Sequence, residues 1–491
     1  MIAFSLLLAA FYPQAPLYSE NQNTKFLHGA ALADWGRLAG DWTAGTLDPL
    51  PVFTILVECV FRWLHPFTFH LLFALLVAVY AWSAIGIATR VYPSLREGRA
   101  AWLFAAIFAL LLLSPLNDKV ATGVAGQYIL DHYLQPCVLG AFMLLGIRLF
   151  LDGRLITTAL CLTVAVLTHP GAYLLSALLV LSAVTWESWK NGLRRRSALP
   201  VLLFAAATVP LGIHQILAFA PSSETSWQLA MNILANQRIP HHTNVHAWLG
   251  FENAAKLVAL VWTSWMVRTY RPLFLIMASL TGLVLLATLA LLAIPNATAA
   301  FTTPWRVTAV SMPIAVVLLI GKVSLGLAAF TERYSFPLDR IRFVTLILIL
   351  LALAMGVVKT QQRFREYHGA KSMGVIQHAK ASAADGQIYL IPPKDNDFNC
   401  FRLETGLPAL ANWKSHPYLD TEVIEWYSRN KAAMDLYDAR DDDVRNALVG
   451  RLAKRYGITH VVVPADKPIT AAGYIEIFAD RYFSIYLQQG I

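Results

Sequence analysis

The stretch SENQNTKFLHGAALADWGRLAGDWTAGTLDPLP, residues 19–51, follows an apolar N-terminal segment and is the most polar part of the N-terminal half. It contains Asp34, Asp41 and Asp48. Apolar residues recur at helical spacing over 27–39, which predicts a helix lying on a membrane surface. Gly40 is placed to end that helix. We therefore expect Asp41 just past the end of the helix and Asp48 at the start of the next element.

The composition on either side of this stretch is that of a membrane protein. The chain of 491 residues is 57% hydrophobic and only 14% charged, whereas a soluble domain carries about 25% charged residues. The deficit is confined to residues 1–358, and residues 359–491 have an ordinary soluble composition. The sequence thus predicts a membrane domain over 1–358 and a separate domain over 359–491.

Apolar segments long enough to be spans recur through the first domain, since a spanning helix needs about 20 apolar residues. About eleven are predicted, at 2–17, 68–89, 100–114, 134–151, 156–168, 171–186, 199–219, 254–267, 272–294, 305–323 and 343–358. Residues 50–64 are apolar too. A span there would reverse every later loop, so we predict an interfacial or re-entrant segment.

The charges of the loops predict the orientation. Basic residues cluster in alternate loops, at 90–99, 148–154, 190–196, 268–271 and 322–342, and such loops stay cytoplasmic. The N-terminus is therefore predicted inside and the C-terminal domain outside. These loops also account for the net charge of +9, so we exclude nucleic acid as a partner.

The C-terminal domain alternates between helical and strand patterns, which predicts a small α/β fold. Helices are expected at 370–384, 421–437 and 442–455, strands at 387–391 and 458–463, and a hairpin at 475–478 and 483–487. The predicted fold class is mainly α: a polytopic helical bundle with a small extracytoplasmic α/β domain.

Candidate site residues all fall on the predicted outer side. Asp41 and Asp48 suit a general base or a cation ligand, and the alternative for both is a turn or helix-end role. Arg306 and Arg238 have the guanidinium geometry that clamps phosphate. Further candidates for substrate binding are His241, His242, Asp131, His132, His169 and Lys414. The alternative for these is local hydrogen bonding, since H-H-x-x-x-H is not a standard zinc spacing.

Several motifs resemble those of an uncharacterised bacterial family of multi-pass membrane proteins. They are NQNTKFLHG (21–29), DW (41–42), DPLPVF (48–53), RIPHH (238–242) and WKSHP (413–417). The architecture, with one span, a long outer loop carrying an acidic residue, many spans and an outer C-terminal domain, resembles the GT-C glycosyltransferases.

This resemblance implies a function at the bacterial inner membrane: transfer of a sugar from a polyprenyl-phosphate-linked donor to an acceptor on the outer side. Asp41 would activate the acceptor and Asp48 would assist. A divalent cation, Mg²⁺ or Mn²⁺, and the oligomeric state stay open. The alternatives are a transporter or flippase, or a polymerase or ligase of lipid-linked glycans that uses residues 238–246 instead of Asp41.

Overall fold

The structure is a computed structural model that describes residues 1–192 and 194–489, without the side chains of 194–197. The side chains of Arg194, Arg195 and Arg196, predicted to mark a cytoplasmic loop, lie outside this description.

Helices dominate the described chain. The α-helices are α1 (Ile2–Ala10), α2 (Gln22–Lys25), α3 (Leu27–Leu32), α4 (Pro51–Trp63), α5 (Thr68–Val91), α6 (Gly98–Leu113), α7 (Asn117–Val120), α8 (Ala141–Leu151), α9 (Leu155–Thr168), α10 (Pro170–Lys190), α11 (Arg194–Ala218), α12 (Glu224–Asn232), α13 (Pro240–Thr243), α14 (Val245–Trp248), α15 (Phe251–Met266), α16 (Arg271–Ala293), α17 (Ala297–Phe301), α18 (Thr308–Arg333), α19 (Leu338–His368), α20 (Met373–Ala381), α21 (Phe401–Thr405), α22 (Asp420–Asp438) and α23 (Asp442–Tyr456). Short 3₁₀ turns include Leu38–Gly40, Pro136–Gly140 and Pro304–Val307. The strands are β1 (Tyr389–Leu390), β2 (His460–Pro464), β3 (Tyr474–Ala479) and β4 (Phe483–Gln488).

Six helices of the described chain are long and apolar enough to cross a membrane. They are Thr68–Val91, Pro170–Lys190, Ala198–Ala218, Arg271–Ala293, Ala297–Arg333 and Leu338–His368. Three shorter apolar helices are Gly98–Leu113, Pro136–Leu151 and Leu155–Thr168. The protein is therefore an integral membrane protein, while the predicted number of eleven spans is not confirmed.

The first predicted span, 2–17, is shorter in the structure than the sequence suggested. Helix α1 ends at Ala10 after nine residues, a length of about 14 Å at 1.5 Å per residue. Pro13 and Pro16 follow, and neither can donate the backbone N–H that would extend the helix. Within the predicted segment 50–64, Pro51–Trp63 form α4, of 13 residues, about 20 Å long. That is shorter than a bilayer core of about 30 Å, and the interfacial or re-entrant position predicted for this segment stays a prediction.

Backbone contacts group the chain into two compact units. The first unit contains residues 1–14, 70–214 and 235–361, and the second contains 15–69, 215–234 and 362–491. The second unit thus combines the predicted C-terminal domain with the polar stretch at 19–51. The boundary predicted after residue 358 stays a prediction.

The first unit is a bundle of apolar helices. Helix α8 packs against α9, α6 packs against α18, and α16 packs against both α10 and α15. Close approach is visible where α10 passes the turn before α8: the Tyr173 hydroxyl donates a hydrogen bond to the carbonyl of Cys137. A Cβ at Gly140 would collide with that tyrosine ring. The glycine therefore permits the contact.

The second unit contains a four-stranded sheet in the order β1-β2-β4-β3. Strands β1 and β2 are parallel, whereas β4 is antiparallel to both β2 and β3. Helices α22 and α23 supply Leu436, Val449 and Leu452 to a core with Val461 and Val463 of β2. Helix α23 begins where the Asp441 carboxylate accepts the Val444 N–H at 2.9 Å and ends at Gly457, which has a φ of 67°. All elements predicted for 421–488 are found within a few residues of their expected positions.

The helix predicted over 27–39 is wrong in its second half. Helix α3 stops at Leu32, and Asp34 and Gly36 both have positive φ, 55° and 59°. Tertiary contacts explain the turn: the Trp35 indole donates to the Leu403 carbonyl at 2.9 Å. In addition, a Cβ on Gly36 would lie 2.5 Å from the Cα of Gly406. These contacts outweigh the helical pattern because propensity is a weak preference compared with packing.

Candidate functional site

Asp41 lies in the interior of the second unit and pairs with Arg402. The Arg402 Nε donates to Asp41 Oδ2 at 2.6 Å, and the side chains are 1% and 0% exposed. Oδ2 also accepts the Ala409 N–H at 3.0 Å. Oδ1 accepts the N–H groups of Thr43 and Ala44 at 2.8 and 3.2 Å. A carboxylate offers about four acceptor positions, and here all four are used.

This geometry gives Asp41 a structural part. Its carboxylate ties the segment 41–44 to the segment 402–409, and no face of it is open for a substrate. The catalytic role predicted for Asp41 therefore stays a prediction that this arrangement does not support. Sequence reasoning missed Arg402, which lies in the mixed polar and apolar segment NCFRLETGL (399–407) without a local signal.

Asp48 lies at a small pocket within the second unit, which we call the loop pocket. It is lined by Thr24, Lys25, His28, Thr43, Thr46, Leu47, Asp48, Pro49, Leu50, Thr54, His416, Pro417 and Tyr418. Asp48 Oδ1 accepts the Leu50 N–H at 2.8 Å. This bond leaves further lone pairs of the carboxylate for other partners. The loop pocket brings an acid, two histidines and a lysine together.

His28 is the residue of this pocket that sequence reasoning missed. Its Nε2 lies 3.0 Å from the carbonyl oxygen of Thr46, so Nε2 carries the proton and donates it. Burial lowers the pKa of His28, an effect that the Asp48 carboxylate opposes. The ring is therefore neutral at pH 7, and Nδ1 has a lone pair with no hydrogen-bond partner among the described residues. A neutral imidazole beside a carboxylate is a competent general base. The available signal was its position within NQNTKFLHG.

Positive charge at the loop pocket comes from Lys25. Its Nζ lies 3.3 Å from the Tyr418 hydroxyl and 5.4 Å from the centre of that ring. Lys414, predicted to bind substrate, instead forms an ion pair with Glu20, and burial lowers the pKa of its ammonium group. Lys414 is not among the described residues that line the loop pocket.

The first unit contains a second group of candidates, which we call the cationic cluster: Arg238, His241, His242 and Arg306. The rings of His241 and His242 are 4.1 Å apart. Burial lowers the pKa of His242 to about 4, and the positive charges of His241, Arg306 and Arg238 add to that effect. No carboxylate among the described residues contributes to the shift of either histidine. The four predicted residues thus share one positive environment.

Backbone contacts hold the cationic cluster in place. His242 Nδ1 lies 2.6 Å from the Ala125 carbonyl oxygen, and the Trp305 indole donates to the His242 carbonyl at 2.7 Å. Arg306 Nη1 donates to the Gly171 carbonyl at 3.0 Å, in the first turn of α10. His169, predicted to bind substrate, is the residue before that helix. The two guanidinium cations, next to two histidines, suit a phosphate group, which accepts several charge-assisted hydrogen bonds.

Asp131 and His132 belong to a separate network in the first unit. His132 Nε2 lies 3.0 Å from Asp118 Oδ2, and its Nδ1 lies 3.0 Å from the Pro13 carbonyl oxygen. Asp131 accepts the His132 N–H and the Gln135 side-chain amide, both at 2.8 Å. These bonds anchor the segment before α8. Their geometry favours the alternative of local hydrogen bonding, and the predicted substrate role stays a prediction.

The residues that the structure describes do not assemble a metal cage. Among the described residues there is no group of three or more His, Cys, Asp or Glu side chains placed to hold an ion. Asp41, the first candidate ligand, has its oxygens occupied by N–H donors. The predicted Mg²⁺ or Mn²⁺ therefore finds no fitting site around Asp41.

Comparison with known proteins identifies the fold. The crystal structure of ArnT from Cupriavidus metallidurans bound to undecaprenyl phosphate matches 99% of this chain and 96% of its own, with a TM-score of 0.50 and 15% sequence identity. The chain has an ArnT-like membrane fold. A family model described as a domain of unknown function, DUF6798, matches residues 370–433. No curated protein matches the chain.

Proposed function

We propose that the protein is a membrane glycosyltransferase of GT-C type, which moves a sugar from a polyprenyl-phosphate-linked donor to an acceptor hydroxyl. The observation that carries this proposal is the match to ArnT over 99% of the chain, together with the architecture that resembles the GT-C glycosyltransferases. The ArnT structure has undecaprenyl phosphate bound, which supports a lipid-linked donor here. The outer side of the bacterial inner membrane is the expected location, from the basic loops predicted to be cytoplasmic.

The cationic cluster is the proposed site of the lipid phosphate. Arg238 and Arg306 supply permanent positive charge, and His241 and His242 line the same environment. A bound phosphate would raise the depressed pKa of His242, because an opposite charge favours the protonated ring. The cluster would then also stabilise the phosphate that leaves when the sugar is transferred.

The loop pocket is the proposed site of the acceptor. In this pocket, Nδ1 of His28 would take up the proton of an acceptor hydroxyl. Asp48 stabilises the imidazolium that forms, since its charge favours protonated His28. His28 thus takes the role that the sequence had assigned to Asp41.

Binding of undecaprenyl phosphate to the purified, full-length protein tests the donor half of the proposal. Native mass spectrometry would compare wild-type protein with the double variant R238Q/R306Q and with R268Q, which removes a charge on the predicted cytoplasmic side. A hydrogen bond to a charged group contributes about 1.5–3 kcal/mol, so losing the contacts of even one arginine weakens binding about tenfold or more. Equal binding of undecaprenyl phosphate and undecaprenol by wild-type protein would contradict the proposal.

Glycolipid profiles of cells test the acceptor half. A deletion strain complemented with wild-type protein should regain a glycan that H28Q fails to restore at equal protein level. Restoration by H28Q would exclude His28 as the base. A profile unchanged by deletion itself would contradict the transferase.

A further inference from the structure

A pocket lined by basic residues lies at the end of α10, opposite the end where Arg306 contacts Gly171. It is lined by Trp186, Trp189, Lys190 and Arg271, and its volume is about 350 Å³. This lies within the range of about 300–1,000 Å³ that is usual for small-molecule sites. The pocket forms where α10 ends and α16 begins, and these two helices pack against each other. Neither the loop pocket nor the cationic cluster shares a residue with it.

The position along the helices places this pocket at the level of lipid headgroups. Both α10 and α16 are long and apolar enough to cross a membrane, and the pocket residues occupy the last turn of one and the first residue of the other. Trp186 and Trp189 are 53% and 50% exposed. Tryptophans that are half exposed at helix ends are typical of the membrane–water interface.

The charges of the pocket are only partly neutralised. Arg271 Nε lies 3.2 Å from Glu187 Oε2, and the glutamate is 15% exposed whereas the arginine is 43% exposed. Glu187 is therefore the ion-pair partner of Arg271, and Arg271 has no second ion-pair partner among the described residues. Lys190 has no ion pair within the described chain either. One net positive charge remains beside the two indole rings.

An apolar track leads away from the pocket along α10. Leu175 precedes Trp186 by eleven residues, and Leu178 precedes Trp189 by eleven residues, which places each pair on one helix face three turns apart. Both leucines are exposed, at 41% and 44%. The acyl chain of a lipid whose headgroup binds in the pocket would lie along these side chains. A free phosphate has no acyl chain and would not contact them.

We propose that this pocket binds the headgroup of an anionic phospholipid, with Arg271 and Lys190 on the phosphate and the two tryptophans against the glycerol region. The site is independent of the proposed transferase. In the predicted orientation it faces the cytoplasmic leaflet, whose anionic lipids attract basic residues at the ends of membrane helices.

The test uses full-length protein in mixed micelles with phosphatidylglycerol or with phosphatidylcholine of the same acyl chains. Native mass spectrometry counts retained lipid for wild-type protein, for K190Q/R271Q and for R268Q/R333Q. The last variant is a matched control, because it removes two charges from the same predicted side. Arg268 lies against a different tryptophan, with its guanidinium carbon 4.0 Å from the centre of the Trp265 ring. Size exclusion and circular dichroism confirm that each variant is folded.

Wild-type protein should retain phosphatidylglycerol selectively. K190Q/R271Q should bind it about 30-fold more weakly, since each basic residue contributes about fivefold at an anionic surface. R268Q/R333Q should behave as wild type. Equal loss in both double variants, equal retention of phosphatidylcholine, or displacement of the lipid by inorganic phosphate alone would each overturn the proposal. If K190Q/R271Q does not fold, the variants R271Q and W186A/W189A take its place. Each is expected to lose the selectivity for phosphatidylglycerol.

Discussion

Replacement of Asp41 by alanine should unfold the second unit rather than disable chemistry. The change removes the counterion of Arg402, whose side chain is 1% exposed, and leaves the N–H groups of Thr43, Ala44 and Ala409 without their acceptor. Breaking a buried ion pair from one side costs about 3–5 kcal/mol. A domain is stable by only about 5–15 kcal/mol, so Asp41→Ala should lower the melting temperature strongly.

The assay measures thermal unfolding in detergent together with limited proteolysis of the C-terminal segment. Arg402→Ala should behave like Asp41→Ala, because it leaves the carboxylate buried and unpaired. Replacing both, as Asp41→Leu with Arg402→Met, should recover much of the loss, since a well-packed apolar pair often equals a buried ion pair in stability. An Asp41→Ala protein with an unchanged melting temperature and no transferase activity would refute this reasoning and restore the catalytic prediction.

Three further predictions follow from local geometry. Gly36→Val should destabilise the second unit by more than about 1 kcal/mol in thermal unfolding. The reason is that the φ of residue 36 is 59° and a Cβ there would meet the backbone of Gly406. A melting temperature equal to wild type would be inconsistent with the close contact. Asp441→Ala should lower the free energy of unfolding by about 1 kcal/mol, because it removes a helix cap. Asp443 does not make the capping hydrogen bond, so Asp443→Ala should lower it less. Equal losses in the two variants would contradict the cap. Transfer activity should persist as the pH falls through 6.5, the ordinary pKa of histidine, and decline only at lower pH, because His28 must be neutral and burial lowers its pKa. Acidification should also destabilise the fold, because the unfolded chain takes up a proton on this histidine more readily than the folded chain does. Half-maximal activity at or above pH 6.5 would contradict the buried His28 as the base.

The sequence predicted regular structure well wherever a local pattern matched the final environment. The strands and helices of 421–488 carry alternating or helical apolar patterns that continue unchanged into the core. The apolar spans were found for the same reason, although α1 is shorter than expected because Pro13 and Pro16 follow it. Hydropathy alone could not decide how many segments cross, since helices such as α8 and α9 are shorter than a bilayer.

The site was less accessible to sequence reasoning because its contacts are distant along the chain. The cationic cluster was predicted residue by residue, and the structure brings those residues together. No local sequence pattern predicts the contact between Asp41 and Arg402. His28 lies inside a motif that was quoted for a resemblance, but its neutrality depends on burial, which only the folded structure specifies.

The separation of Asp41 and Arg402 by 361 positions has a consequence for biogenesis. At synthesis rates of about 5–20 residues per second, the aspartate waits about 20–70 s before its partner leaves the ribosome. Until then the polar stretch 19–51 remains hydrated and lacks the partner of Asp41. The membrane helices therefore insert before this stretch can fold. A premature stop codon upstream of residue 402 would therefore produce an inserted but permanently immature protein, recognisable to membrane proteases by that exposed loop.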